Sequence, residues 1–266
     1  MILELLICTI NEGVRRVPNI LLPQIANVRY LVSWQQTGTV SIDLPEELIR
    51  SDVRVITLEG RGLAANRNNA LKNAQGDILL LSDDDTKYKA ENLQNIIKKF
   101  RTYPKADIIC FKAVDAEGKE IKHYAEQPFI YAKRPKGSFF SSWEIAFRRN
   151  QNLPVFDERF GLGSQYLACG EEEVFLDSAY KKGLKIIFLP EVIVETNADT
   201  TGKHFLINAA VRRSKGAVLC IIYGPWSARL RCLKKAMQYD KLPLQQRMKF
   251  FEDMIQGIHY IQYGHL

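Results

Sequence analysis

The stretch Asp77–Asp85, Asp-Ile-Leu-Leu-Leu-Ser-Asp-Asp-Asp, constrains this chain more than any other. Gly76-Asp77 opens it as a turn. Ile78 to Leu81 is a continuous apolar run, the pattern of a strand buried on both faces. It ends in three consecutive carboxylates, Asp83, Asp84 and Asp85. Adjacent acids repel one another, at a cost that a cation or solvent must offset. Strands buried on both faces belong to open α/β sheets, where ligands sit beyond the carboxyl ends of the strands. Alternate residues of an extended segment face one side, so Asp83 and Asp85 can converge on one ion. Hard carboxylate oxygens suit Mg²⁺ or Mn²⁺, and such ions commonly hold substrate phosphates as well. The plainer alternative is a solvated acidic loop that caps the helix beginning near Lys89.

The flanking sequence supports an α/β class with a mainly parallel sheet. Leu3–Thr9, Val28–Ser33, Val53–Leu58 and Ile108–Val114 read as strands. Val14–Ile25 is weakly helical and interrupted by Pro18 and Pro23. Gly62–Ala74 and about Lys89–Tyr103 read as helices, the second stopped before Pro104. The order β-α-β-β-α-β-α-β implies a sheet wrapped by helices. The second half is less regular. Asp115–His123 reads as a turn with a short hairpin, Lys133–Gly137 as a basic loop, Ser138–Phe147 as strand-like and Asn150–Gly163 as loop. Glu171–Lys182 reads as a helix ending at Gly183, followed by short strands at Lys185–Leu189 and Val192–Glu195. From Lys203 the pattern is helical. Phe250, Phe251, Met254, Ile255 and Ile258 form an apolar stripe there. A domain shift is expected near Asp199–Lys203.

Charge is unevenly distributed. Thr201–Leu266 carries 11 Lys/Arg against 3 Asp/Glu, a net of +8, whereas the remainder carries 26 against 27. All of the +7 excess therefore lies in the tail. Such an excess fits an anionic partner: acidic lipid headgroups, a lipid diphosphate or nucleic acid. The five cysteines form no Cys-x-x-Cys pair, the usage of reduced core thiols in a cytoplasmic protein. The first residues, Met-Ile-Leu-Glu-Leu-Leu-Ile, read as a strand rather than a signal peptide. No apolar run reaches the roughly 18 residues that span a bilayer.

Several short stretches fall in a telling order. Cys8-Thr9-Ile10-Asn11 ends the first strand. Gly62-Leu63-Ala64-Ala65-Asn66-Arg67-Asn68 and Asp83-Asp84-Asp85 follow. Then come Trp143-Glu144-Ile145-Ala146-Phe147-Arg148, Phe156-Asp157-Glu158-Arg159-Phe160-Gly161 and Gly170-Glu171-Glu172-Glu173. This set resembles the glycosyltransferase family 2 enzymes of the GT-A (Rossmann-like) fold, over roughly residues 1–200. The resemblance implies a catalytic domain at 1–200, with a nucleotide-sugar-binding half at 1–105 and an acceptor half at 106–200. A basic helical extension at 201–266 resembles the variable C-terminal helices of the family. It also implies a metal-dependent, inverting transfer of a sugar from a nucleotide-diphosphate-sugar donor to a hydroxyl of a saccharide or lipid-linked saccharide acceptor. The setting it implies is cytoplasmic surface-polysaccharide synthesis, with peripheral contact at an anionic inner membrane face and no nucleic acid partner.

Site residues follow from the same resemblance. Mn²⁺ or Mg²⁺ is expected on Asp84 and Asp85 with Asp83 near the ribose, although the register within the run stays open. A bound ion screens the diphosphate and stabilises its charge as it leaves. The base that takes the acceptor proton is expected at Glu171-Glu172, preferably Glu172. Neighbouring carboxylates raise each other's pKa, which suits a proton acceptor near neutral pH. The same acids would also complement a helix dipole. Thr9, Asn11, Gln35 and Arg67 are expected at the nucleotide sugar, and Trp143 and Glu144 at the acceptor. The turn Trp34-Gln35-Gln36-Thr37-Gly38 departs from the acidic turn common in the family, so the amide of Gln35 replaces a carboxylate at the base. His204 is a candidate late metal ligand. Two alternatives use the same fold. A sugar nucleotidyltransferase needs a Gly-rich phosphate loop directly after the first strand, which Cys8–Gly13 lacks. An inactive scaffold subunit of a polysaccharide-synthesis complex would have no need of acids at both places.

Overall fold

A computed structural model describes residues 1–38, 42–196 and 201–264. The chain forms two compact units. The first comprises Met1–Arg61, Ala65–Val155 and Ser178–Ala198, and the second comprises Gly62–Ala64, Phe156–Asp177 and Asp199–Leu266. The expected boundary at Asp199–Lys203 falls partly on residues 199 and 200, which lie outside the described residues.

The first unit is built on one eight-stranded sheet of order β3-β2-β1-β4-β7-β5-β8-β6. Its strands are β1 (Leu3–Ile10), β2 (Val28–Gln36), β3 (Val53–Glu59), β4 (Ile78–Asp83), β5 (Ile108–Val114), β6 (Phe129–Ile130), β7 (Ile145–Arg148) and β8 (Ile186–Glu195). Strands β3, β2, β1 and β4 run parallel. Leu3, Leu5, Leu6, Ile7 and Ile78 to Leu81 are wholly enclosed, as double-faced burial in a parallel sheet requires. Helices α1 (Leu63–Asn73) and α2 (Ala90–Thr102) follow β3 and β4. Helix α2 turns Leu93, Ile96, Ile97 and Phe100 inward, an apolar stripe at helical spacing.

Three segments differ from the sequence expectation. Asn11–Ile20 is a 3-10 helix rather than a weak α-helix over 14–25. Pro18 removes a backbone donor there, and Pro23 lies beyond its end. The expected strand at Ser138–Phe147 is a 3-10 turn at Ser142–Glu144 followed by the four-residue β7. That strand runs antiparallel between β4 and β5, so long-range pairing selects it rather than local propensity. The two strands expected at 185–189 and 192–195 are one strand, β8. It carries Pro190 through register shifts between Cys110 and Ala113 of β5, where a ladder hydrogen bond is not needed.

In the second unit, α4 (Ala209–Tyr223), α5 (Pro225–Met237) and α6 (Leu244–Tyr263) pack around Phe205, Val211, Cys220, Ala228, Cys232, Ala236, Phe250, Met254 and Ile258. Helices α4 and α6 touch backbone to backbone. A Cβ on Gly216 would lie 1.9 Å from the Met254 carbonyl oxygen, and one on Gly257 would lie 1.9 Å from that of Arg213. A buried pair ties the same helices, Arg212 Nε donating to Asp253 Oδ2 at 2.7 Å. Helix α3 (Glu171–Lys181) begins in this unit with Glu171, Glu172 and Glu173 in its first turn. All five cysteines are unpaired.

Candidate active site

The parallel register places the ends of β1 and β4 side by side, with Cys8 opposite Asp83. That pairing brings the first-strand loop and the acidic run to one end of the sheet. Thr9, enclosed at the end of β1, donates its hydroxyl to Asp84 Oδ2 at 2.5 Å. Arg16, from the 3-10 helix, grips the same carboxylate with Nε and Nη2 at 2.8–3.2 Å. Gly13 makes this approach possible. A Cβ there would lie 2.3 Å from Asp84 Oδ2 and 2.4 Å from Thr9 Oγ1.

Asp83 has a different cation. Arg67 of α1, 2% exposed, places Nη2 3.3 Å from Asp83 Oδ1 and donates to Ser142 Oγ at 2.8 Å. Ser142 Oγ in turn lies 3.5 Å from Asp83 Oδ2. The turn below is braced by Thr86, whose hydroxyl donates to the Asp83 carbonyl at 3.0 Å. Asn66 donates Nδ2 to the Thr9 carbonyl at 2.9 Å, and its enclosed Oδ1 has no hydrogen-bond partner among the described residues. Asp85 is the solvent-exposed member of the run. Crowding by surrounding protein, then the charges of Asp83 and Asp84, push its carboxyl above the ordinary range. Burial pushes the neighbouring Cys8 thiol up to about 12, so it stays protonated.

Asn11 and Gln35 occupy the adjacent strand ends. Asn11 holds φ at 46°, and its side-chain amide bonds Thr37 twice, through Oγ1 at 2.7 Å and backbone N–H at 2.9 Å. Its carbonyl accepts from Trp34 Nε1 at 3.0 Å. Asn11 thus locks the end of β1 to the end of β2. Gln35 is buried on β2 opposite Ile10.

Glu144, expected at the acceptor, braces the turn that carries it. It is fully enclosed and accepts from Lys122 Nζ at 2.6 Å, from the Ser141 backbone N–H at 2.7 Å and from the Tyr124 hydroxyl. With Ser141 it forms a capping box on the 3-10 turn. Both carboxylate oxygens thus accept hydrogen bonds from the protein itself. Trp143, on the same turn, is half-buried, and its enclosed Nε1 has no hydrogen-bond partner among the described residues.

In the second unit Glu171 is buried at the start of α3, with Gly161 packed against its carboxyl group. Glu172 is half-buried beside it. Glu173 pairs with Lys215 at 3.2 Å, and that carboxylate is the main reason the lysine's pKa is raised. His204 lies in the turn Thr201–Leu206.

Among the described residues, no three His, Cys, Asp or Glu side chains converge as a ready-made metal cage. The donor set still fits a hard cation. One or two carboxylates plus substrate phosphates is the usual way to hold Mg²⁺, and an ion there would offset both the desolvation and the carboxylate repulsion that raise Asp85. Sequence reasoning missed Arg16 and Ser142, which lie 68 and 59 residues from the acids they serve. No local signal marks either one.

The fold matches known structures across nearly the whole chain. A S. aureus TarS 1-349 structure aligns at TM-score 0.59 and 16% identity, covering 97% of this chain and 81% of that one. TarS 1-349 in complex with UDP aligns at TM-score 0.59 and 14% identity, covering 100% and 92%. The complex with UDP-GlcNAc aligns at TM-score 0.59 and 14% identity, covering 99% and 92%. The architecture is thus the GT-A type, a mixed α/β sheet with flanking helices and a helical C-terminal region. Residues 41–164 match the family model Glycosyl transferase family 2. That match spans a little under half of the chain and takes in the acidic run. Comparison with curated proteins gave no match.

Proposed function

We propose that the protein moves a sugar from a nucleotide-diphosphate sugar to an acceptor hydroxyl with inversion, using the end of β1 and β4 as its donor site. The observation that carries this is the acidic run at the strand ends, each of Asp83 and Asp84 gripped by its own arginine and Asp85 open to solvent. TarS, which shares the fold, binds UDP and UDP-GlcNAc, which supports a uridine diphosphate donor here. Residues 1–105 would form the donor half and 106–200 the acceptor half, with 201–266 appended.

Asp83 faces the ribose, while Asp84 and Asp85 hold Mg²⁺ or Mn²⁺. A bound ion supplies charge neutralisation for the departing diphosphate. Arg16 adds cationic charge beside the same oxygens, and its exposure leaves it free to swing from Asp84 to a phosphate. Thr9 and Arg67 hold the acids in place. Glu172 takes the acceptor proton, with Glu171 beside it, a role that rests on the family motif. The acceptor oxygen then bonds the anomeric carbon as the carbon–oxygen bond to the diphosphate breaks. The nucleoside diphosphate leaves with that electron pair. The acceptor would be a saccharide or lipid-linked saccharide, in surface-polysaccharide synthesis.

The test is nucleoside diphosphate release from a panel of nucleotide sugars with Mn²⁺, in the parent, Asp85→Asn and Glu172→Gln. Both variants should fall at least about a hundredfold, the scale of losing one group that acts in the transition state. Parent-level turnover in both would overturn the assignment.

A further inference from the structure

Helix α5 wears its apolar residues on the wrong side for a helix that only packs against its neighbours. It buries small side chains, Ala228, Cys232 and Ala236, at positions i, i+4 and i+8. Its large ones face water: Trp226 is 78% exposed, Leu230 73% and Leu233 40%. At 3.6 residues per turn these three fall within about 60° of one another, a single stripe opposite the buried one. An amphipathic helix of a globular protein normally turns Leu and Trp inward. A contiguous exposed stripe marks a surface that something covers.

The flanks say what covers it. Arg229, Arg231, Lys234 and Lys235 are the charged residues of α5, and it carries no carboxylate. Arg229 lies 5.2 Å from the Trp226 ring centroid, and Arg231 lies 3.8 Å over Tyr223, itself 42% exposed at the end of α4. A second copy docked through the same helix would bring two sets of four cations together with no countercharge. An anionic lipid surface satisfies both halves of the pattern. Its acyl boundary takes Trp and Leu, and its phosphates take Arg and Lys. Tryptophan favours that depth because its ring is apolar and its N–H is polar.

We propose that α5 docks this protein onto an anionic lipid bilayer. The helix lies in the interface plane with Trp226, Leu230 and Leu233 at the acyl boundary and Arg229, Arg231 and Lys234 at the phosphates. At 13 residues it is too short to span, and among the described residues no helix is long and apolar enough to cross a membrane.

The test is co-sedimentation of the full chain with vesicles of phosphatidylcholine alone or mixed with phosphatidylglycerol. The chain should pellet with the mixed vesicles, remain in solution with phosphatidylcholine alone, and release as salt rises. Trp226 is the exposed one of three tryptophans, so its emission should shift to the blue on binding. The double variant Trp226→Ala/Leu230→Ala should bind mixed vesicles about tenfold more weakly or worse, with an unchanged melting temperature because both side chains are already solvated. Arg229→Glu/Arg231→Glu should lose the preference for anionic lipid. The proposal fails if the parent stays in solution with mixed vesicles, if both double variants bind as the parent does, or if lipid charge makes no difference. It also fails if light scattering shows a dimer that only the Trp226/Leu230 variant dissolves. Sedimentation needs no sugar transfer, so failure here leaves the proposed activity standing.

Discussion

Replacing Arg67 by methionine probes how the acidic run is held. The guanidinium is 2% exposed, 3.3 Å from Asp83 and 2.8 Å from Ser142. Two unit charges at that separation attract by about 5 kcal/mol at an effective dielectric of about 20. Most of that offsets desolvation of the buried guanidinium. Hydrogen bonds to charged groups leave a net of about 1.5–3 kcal/mol. Methionine keeps most of the stem's volume, so little cavity cost is added. Arg67→Met should therefore lower the unfolding free energy by about 2–3 kcal/mol. Asp83→Asn alone should cost about 1 kcal/mol, because Asp83 is partly solvated and loses only charge. In the double variant the costs should not add, leaving a coupling of about 1–2 kcal/mol. Urea denaturation of all four proteins, followed by the fluorescence of Trp34 and Trp143 in the same unit, measures the cycle. Additivity within about 0.5 kcal/mol would refute the claim that Arg67 acts on Asp83.

Gly13→Ala should push Thr9 and Asp84 apart, costing about 1–3 kcal/mol and weakening donor binding, read by thermal unfolding with and without UDP. Asp85→Asn should raise stability at pH 7 by about a few tenths of a kcal/mol, since the side chain is exposed and screened. The raised carboxyl contributes stability that is present below its ordinary value of 3.8 and lost as pH rises through the folded value. The advantage of Asp85→Asn should therefore vanish in acid, whereas metal-dependent donor binding by the parent should grow over the same rise. Glu144→Gln should cost about 3–5 kcal/mol by stranding Lys122, and Lys122→Met in the same chain should restore most of it. A persistent rise in acceptor KM in that rescued double variant would instead mean that Glu144 touches the acceptor.

The first half of the fold was legible because its strands are long apolar runs closed by Gly, Asn or Pro. Leu3–Ile10 and Ile78–Asp83 need no partner to be recognised, and the acids at the end of β4 mark the carboxyl edge of the sheet. Strand β7 was not legible, because four residues carry no periodic signal and pairing to β4 and β5 makes them a strand. Strand β8 was split in two because proline normally breaks a ladder, and here a register shift absorbs it. At the site, residue types that bear chemistry could be read from order and spacing. Their use could not. Glu144 looks like any acid after an aromatic until Lys122 and Tyr124 close over it. Arg16 looks like a surface arginine until the 3-10 helix turns it onto Asp84. Such pairings are tertiary and leave no trace in a short window.

The most direct test of the account is calorimetric titration of the parent and Asp85→Asn with UDP-GlcNAc, each with and without Mn²⁺. The parent should give a heat of binding that requires Mn²⁺, and the variant should bind at least about tenfold more weakly. Binding that is equal with and without metal, or equal in the two proteins, would contradict it.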